Sequence, residues 1–161
     1  AAGVVVCHVG FWTLPDYGSD SGPWLAQRRR ATYASDKIAL AGTEGAEFVD
    51  ELGPVEGEFI IHKHRYNAFN GTDLDMMLKA RNIKTVVPTG VSTNVCVEST
   101  LRDAFERSYY VCVPENGVAS WDMQLHEATL KTVNARFGLL TTCEEISNIW
   151  QHANTIAEVA E

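Results

Sequence analysis

The sequence predicts a doubly wound α/β fold, in which a mainly parallel sheet carries helices on both faces in three α/β/α layers. Short runs of β-branched residues alternate with amphipathic helical patterns along most of the chain, and parallel strands need such crossovers between them. Several of the helical patterns also begin with capping signals. A chain of 161 residues can bury a core of its own, so we expect residues 1–161 to form a single domain.

The individual elements follow from the spacing of the apolar residues. We expect strands at residues 4–8, 59–63, 85–89, 109–114 and 139–141. We expect helices at residues 72–81, 94–107, 122–137 and 143–157. Two of these helices start with a residue pair that resembles a capping box, Thr72 with Asp75 and Thr142 with Glu145.

Two segments depart from this alternation. Residues 10–41 are rich in Gly, Pro, Ser, Asp and aromatic residues. This segment is too long for a plain connection, which favours a functional loop or lid.

The chain also enters its first strand almost at once. We therefore expect a preceding β–α unit of the fold to be absent from this sequence, since a doubly wound sheet would otherwise lack a central strand.

Composition excludes several classes of function. The net charge of -8 comes without a basic stripe, which argues against a nucleic-acid partner and against binding to anionic membranes. No apolar stretch approaches the roughly 20 residues that span a bilayer, and the start lacks the layout of a secretory signal, so we expect the cytoplasm. The four cysteines have no paired spacing, so neither a disulfide framework nor a zinc site is indicated.

The segment from Thr89 to Thr100 carries a cysteine, Cys96, from the end of an apolar strand onto the first turn of a helix. Unpaired N–H groups and the positive end of the helix dipole both favour a thiolate at such a position. The alternative is a buried structural cysteine. The strand, the turn at Gly90 and the helix start together favour a nucleophile.

A second feature is Lys63, which ends another apolar strand and is followed by a polar and aromatic turn. Ligands of open parallel sheets bind at the carboxyl ends of the strands, so Lys63 and Cys96 are expected at the same edge. A lysine at this position can stabilise a thiolate and a developing negative charge.

These residues resemble the isochorismatase-like cysteine hydrolases, and within that family most closely the ureidoacrylate and biuret amidohydrolases. The resemblance covers nearly all of residues 4–145. It is carried by residues 42–46 (GTEGA), residues 63–69 (KHRYNAF) with 71–75 (GTDLD), and residues 89–104, which include TNVCVESTLRDA.

The resemblance implies a catalytic Asp, Lys and Cys, with the lysine at Lys63 and the nucleophile at Cys96. It also implies a cis peptide bond between Val91 and Ser92 and an oxyanion hole formed by the N–H groups of Ser92 and Cys96. The family's catalytic Asp stands at the end of a first strand that this sequence does not contain. None of the acidic residues in or beside the presumed loop follows an apolar run, so none is assigned that role: Asp16, Asp20 and Asp36.

The resulting hypothesis is a cysteine amidohydrolase that cleaves a C–N bond of a small ureido, carbamoyl or biuret-like substrate and releases ammonia or carbamate. No metal or other cofactor is required by that scheme. The metal-binding relatives use an Asp-x-His and a further His, a spacing that the histidines here do not reproduce: His8, His62 and His64. The alternatives are a nicotinamidase-like hydrolase of the same family and an inactive domain that serves in assembly or binding.

Substrate recognition is expected from residues near the two catalytic ones. Arg65 and Tyr66 directly follow Lys63, and the planar fork of an arginine can hold a carboxylate or a urea oxygen; the alternative for Arg65 is a loop or interface ion pair. Asn94 either contacts substrate or caps the helix before Cys96, with capping favoured. His126 corresponds to a polar substrate-contacting position in similar enzymes. The family also implies a homo-oligomer, a dimer or tetramer.

Overall fold

Residues 3–30 and 38–159 are described by a computed structural model of the chain. They divide into two compact units, which are treated separately below. The first comprises residues 5–65 and 70–72, and the second comprises residues 1–4, 66–69 and 73–161. The single domain expected from the sequence stays a prediction.

The first unit is built on two parallel strands, β1 (Cys7–Phe11) and β2 (Phe59–Lys63). Residue 7 of β1 pairs with residue 59 of β2 and residue 11 with residue 63. The prediction for β2 is confirmed, whereas β1 lies three residues beyond the predicted 4–8. Gly10, the first residue of the predicted loop, belongs to the strand. A Cβ at this position would lie 3.3 Å from Phe48 Cζ.

The segment 10–41 is more regular than predicted. It continues β1 to Phe11, forms a 3₁₀ turn at Pro15–Tyr17 and then the helix α1 (Gly22–Arg30). Residue 13 is bridged to residue 40, so the two ends of the segment lie side by side. The prediction of an irregular loop is therefore wrong for residues 10–11 and 22–30, while its role as a functional loop or lid stays a prediction; residues 31–37 lie outside the described part of the chain.

The second unit contains five short strands, and each described pairing among them is parallel. Three of them form a sheet in the order β3–β5–β7, and the other two pair as β4–β6. The bounds are β3 Thr85–Val86, β4 Gly90–Val91, β5 Tyr110–Pro114, β6 Val118–Ala119 and β7 Leu139–Thr141. The predicted strand 85–89 ends early, before Pro88, which has no N–H to donate to a neighbouring strand.

Four helices alternate with these strands. They are α2 (Leu74–Ala80), α3 (Glu98–Glu106), α4 (Met123–Arg136) and α5 (Cys143–Val159). All four were predicted, although the predicted helix 94–107 begins later, at Glu98. Parallel strands joined by helices confirm the α/β class.

The core of the second unit forms where α3 packs near β5. Leu101 and Ala104 are fully buried, and so is Val113 of β5. The two helix residues are three apart and therefore share one face. Gly138 precedes β7, and a Cβ there would lie 2.3 Å from the carbonyl oxygen of Val111; only glycine permits this close approach.

One of the two predicted capping boxes is present. The Thr142 hydroxyl accepts the N–H of Glu145 at 3.2 Å, and the Glu145 carboxylate accepts the N–H of Thr142 at 3.0 Å. The prediction for Thr72 with Asp75 is wrong, because α2 begins at Leu74. The Asp75 carboxylate instead accepts hydrogen bonds from three side chains: Lys79 at 2.8 Å, Tyr109 at 3.0 Å and Arg107 at 3.2 Å.

Within residues 3–30 and 38–159, none of the helices combines the length and the apolar character that crossing a membrane requires.

Candidate active site

The backbone reaches Cys96 through three successive features of the second unit. Strand β4 starts at Gly90, whose φ of 100° favours glycine. The next peptide bond, between Val91 and Ser92, is cis, as the family resemblance implies. A π-helical turn, Thr93–Val97, follows and leads into α3. Cys96 is the fourth residue of that turn.

The hydrogen bonds of this turn differ from those of the α-helical start that the sequence predicts. The carbonyl oxygen of Ser92 accepts the N–H groups on either side of Cys96, those of Val95 at 3.0 Å and Val97 at 3.2 Å. The N–H of Glu98 reaches back five residues to the carbonyl of Thr93. Such wide turns are rare and occur often at functional sites.

Ser92 occupies the cap position of this turn without capping it. Its side chain is buried, at 5% exposure for the residue, and among the described residues its hydroxyl has no hydrogen-bond partner. A buried hydroxyl without a partner is unfavourable by about 1–3 kcal/mol. Native structures keep few such groups, and each one calls for an explanation.

Asn94, predicted to cap the helix or contact substrate, lies within the turn and bonds elsewhere. Its Oδ1 accepts a hydrogen bond from the hydroxyl of Ser120 at 2.5 Å. The prediction that it caps the helix is therefore wrong, because Ser92 holds the cap position and Asn94 is the second residue of the turn. Its contact with substrate stays a prediction.

Helix α4 contacts both ends of the turn. The hydroxyl of Thr93 and Nδ1 of His126 lie 2.9 Å apart in a buried hydrogen bond. Beyond the turn, the Thr129 hydroxyl donates to the carboxylate of Glu98 at 2.7 Å. The sequence analysis singled out His126 but not its partner Thr93. It gave no signal for Thr129, because one threonine does not stand out in the apolar pattern of an amphipathic helix.

The four cysteines are free thiols of intermediate exposure. Burial raises the pKa of the Cys7 thiol. Burial, and to a smaller degree the charge of Glu145, raises the pKa of Cys112. These two thiols, on strands β1 and β5, are thus less prone to ionise than a free thiol.

Lys63 and Arg65 belong to the first unit. Lys63 is the last residue of β2 and is only 4% exposed, and its carbonyl accepts the N–H of Trp12 at 2.9 Å. Arg65 donates to the carbonyl oxygen of Ser19 at 2.8 Å, and its guanidinium lies 5.2 Å from the ring centroid of Trp24. Arg65 thus contacts the segment before and within α1.

Tyr66, the other predicted substrate contact beside Lys63, belongs to the second unit and is 37% exposed.

The three histidines near β1 and β2 all contact other groups of the protein. The ring of His62 stacks on Trp12 with centroids 3.5 Å apart, and Nδ1 of His64 bonds to the carbonyl of Trp12 at 2.8 Å. His8 pairs with Glu58 at 2.7 Å. In the part of the chain that the structure covers, no three His, Cys, Asp or Glu side chains are arranged to hold a metal ion.

Comparison with known proteins decides the family. The profile of the isochorismatase domain matches residues 16–145. The chain belongs to the isochorismatase family.

The relatives of this isochorismatase-family chain include an amidohydrolase. The ureidoacrylate amidohydrolase RutB of Methylorubrum extorquens is 38% identical over 149 residues, covering 86% of this chain and 60% of that protein. The chain therefore spans about three fifths of the length of this curated relative.

Two solved structures superpose well on the chain. A cysteine hydrolase from Pseudomonas syringae pv. phaseolicola matches with a TM-score of 0.86 at 26% identity, covering 94% of this chain and 74% of its own. N-carbamoylsarcosine amidase from Thermoplasma acidophilum matches with a TM-score of 0.71 at 28% identity, covering 88% and 73%. These matches support the predicted three-layer α/β/α fold class.

Proposed function

We propose that this isochorismatase-family chain is part of a cysteine amidohydrolase that cleaves a C–N bond of a small ureido, carbamoyl or biuret-like substrate. The observation that carries the proposal is the position of Cys96 in an uncapped π-helical turn directly after strand β4. Two of the relatives above are named for amide hydrolysis, one on ureidoacrylate and one on N-carbamoylsarcosine. Their names agree with the substrate class but do not choose within it.

The chemistry begins with loss of the Cys96 proton to a base. The thiolate then attacks the carbonyl carbon of the substrate, and the carbonyl π electrons move onto oxygen. When the tetrahedral intermediate collapses, the C–N bond breaks and the protonated nitrogen leaves as ammonia or an amine. Water adds to the thioester in the same way and restores the thiol, with release of the acid or carbamate.

The oxyanion of each intermediate needs hydrogen-bond donors. The proposed donors are the N–H groups of Ser92, directly before the turn, and of Cys96, its fourth residue. Donors of this kind are each worth about 3–4 kcal/mol of transition-state stabilisation. The carbonyl of Ser92 supports this arrangement, since its bonds to Val95 and Val97 fix the turn around the cysteine.

Lys63 is proposed as the second catalytic residue on the strength of the family resemblance. Its low exposure supports the proposal, because an ammonium group is seldom buried without a structural or chemical reason. The base implied by the family is an aspartate, and no residue of this chain is assigned to it.

Arg65 and Tyr66 are the proposed substrate contacts. The guanidinium of Arg65 already donates to backbone carbonyls, and its five donors leave capacity for an oxygen of the substrate. Nδ1 of His126 and Oδ1 of Asn94 are engaged by protein partners. Contact with substrate through those two atoms is thus disfavoured.

The proposal is tested by measuring product release from ureidoacrylate, biuret and nicotinamide. The assay uses the protein as it is purified from its source. We expect ammonia or carbamate from at least one of the first two, and no metal requirement. Turnover of nicotinamide alone, with dependence on an added divalent metal, would contradict the proposed substrate class.

A further inference from the structure

The π-helical turn of Cys96 is held at both ends by one face of helix α4. Before the cysteine, Thr93 bonds to Nδ1 of His126 at 2.9 Å. After it, Glu98 accepts the hydroxyl proton of Thr129 at 2.7 Å. His126 and Thr129 are three residues apart on α4, so they lie on the same face. We call these two hydrogen bonds the α4 anchor.

Three of the four anchor residues are buried; the fourth, Glu98, is half-buried, and its other carboxylate oxygen accepts a hydrogen bond from Arg102 at 2.6 Å. Thr93 is 1% exposed, Thr129 5% and His126 9%. Loss of one partner from a buried hydrogen bond leaves the other unsatisfied, so such bonds do not exchange freely for bonds to solvent. The two contacts are therefore suited to fixing the backbone positions that they join.

The anchored residues bracket the part of the chain with an unusual hydrogen-bond pattern. Thr93 is the first residue of the π-helical turn, and Glu98 is the first residue after it. A π-helical turn holds more residues than an α-helical one. Return to α-helical bonding would thus rotate Cys96 with respect to both anchored ends, and would move its Sγ and its N–H.

We propose that the α4 anchor holds the Cys96 turn in its π-helical form, and that Thr93, His126 and Thr129 are positioning residues for the nucleophile. The catalytic part of this statement rests on the proposed function. It gives the buried His126 a role through Thr93 instead of through contact with substrate. Positioning matters because a shift of about 1 Å at reacting atoms lowers rates by about 100-fold.

The test uses two isosteric substitutions, Thr93→Val and Thr129→Val, each of which removes one hydroxyl of the anchor. Thr93→Ser and Thr129→Ser restore the hydroxyl and serve as rescue variants. Thr132→Val is the matched control, because the Thr132 hydroxyl donates to the carbonyl of Ala128 within the same helix. If one valine variant fails to fold, the other tests the same claim from the opposite end of the turn.

The first readout is amide hydrogen exchange of peptides that span residues 92–101, which needs no substrate. Each valine variant at the anchor should exchange about tenfold faster there, while the serine variants and Thr132→Val match the wild type. Unchanged exchange in both anchor variants would overturn the proposal.

The second readout is turnover of ureidoacrylate. The valine variants should lose about tenfold or more in kcat with little change in KM, and the serine variants should recover most of it. A rise in KM at constant kcat, or a kcat equal to that of Thr132→Val, would refute the positioning role. If the wild type does not act on ureidoacrylate, biuret replaces it in this assay; if it acts on neither, the proposed function fails, and the exchange result still decides for or against the anchor.

Discussion

Two cysteines of this protein stand at the start of a helix that follows a parallel strand, and their surroundings differ. Cys96 follows strand β4 and lies in a turn with no side-chain cap and no acidic residue. Cys143 follows strand β7 and is the first residue of α5. Its own N–H is bonded to Oδ1 of Asn116 at 2.8 Å, and Thr142 with Glu145 forms a complete capping box.

The comparison shows that two cysteines at similar strand-to-helix connections have different hydrogen-bond surroundings. At Cys143 the N–H groups of residues 143 and 145 are bonded to side chains, and the first turn of α5 carries Glu144 and Glu145. At Cys96 no side chain caps the turn, and the N–H groups of Val95 and Val97 bond to the backbone carbonyl of Ser92 instead.

The largest expected contrast is in turnover. Cys96→Ala should lower kcat/KM for the preferred ureido substrate by at least about 1,000-fold, because no other group can form the thioester. Cys143→Ala is the matched control and should keep wild-type activity. Comparable kcat/KM values in the two variants would contradict the assignment of Cys96 as the nucleophile.

The next contrast is in alkylation. Iodoacetamide should modify Cys96 about tenfold faster than Cys143 in the folded protein, since the thiolate is the reactive form. Cys7 and Cys112 should react more slowly still, because burial raises the pKa of both thiols. Peptide mass spectrometry after a short exposure gives the four rates, and a faster reaction at Cys143 would be the contrary result.

A smaller contrast concerns the two cap positions. Thr142→Ala should lower the free energy of unfolding by about 1 kcal/mol, the usual effect of losing a cap. Ser92→Ala should leave stability unchanged or raise it by about 1 kcal/mol, because it removes a buried hydroxyl that has no partner among the described residues. Urea unfolding measures both, and an equal loss in the two variants would show that Ser92 also acts as a cap.

The smallest contrast is in the pH dependence of stability. Hydrogen bonds from Thr141 and from the Thr142 backbone lower the pKa of Glu145 below its ordinary value of 4.5. A lowered pKa means that the carboxylate stabilises the fold above about pH 4.5 and that this contribution disappears as the pH falls through the lowered value.

The free energies of unfolding of Glu145→Gln and of the wild type should therefore differ near neutral pH and become equal in acid. A difference that is constant from pH 7 to pH 3 would contradict the assigned hydrogen bonds.

The sequence predicted much of this fold because apolar spacing and capping signals act locally. Strands 59–63 and 139–141 match residue for residue, and so does the capping box of α5. Helix α1 was missed because none of its residues is buried, so it has no apolar face to produce a periodic pattern.

The surroundings of Cys96 were harder to predict. A strand, a glycine and a helix start located the cysteine, and family resemblance supplied the cis peptide bond. The π-helical turn and its bonds to α4 were not predicted, because they join residues about 30 positions apart through single hydroxyl groups. Hydropathy and spacing do not encode such contacts.

The central claim is that Cys96 forms a covalent intermediate, and acid quenching during turnover of the ureido substrate tests it most directly. Peptide mass spectrometry of the quenched protein should find an acyl or carbamoyl group on the peptide that carries Cys96, and none on Cys143. Turnover without any adduct on Cys96, or with the adduct on another residue, would contradict the account.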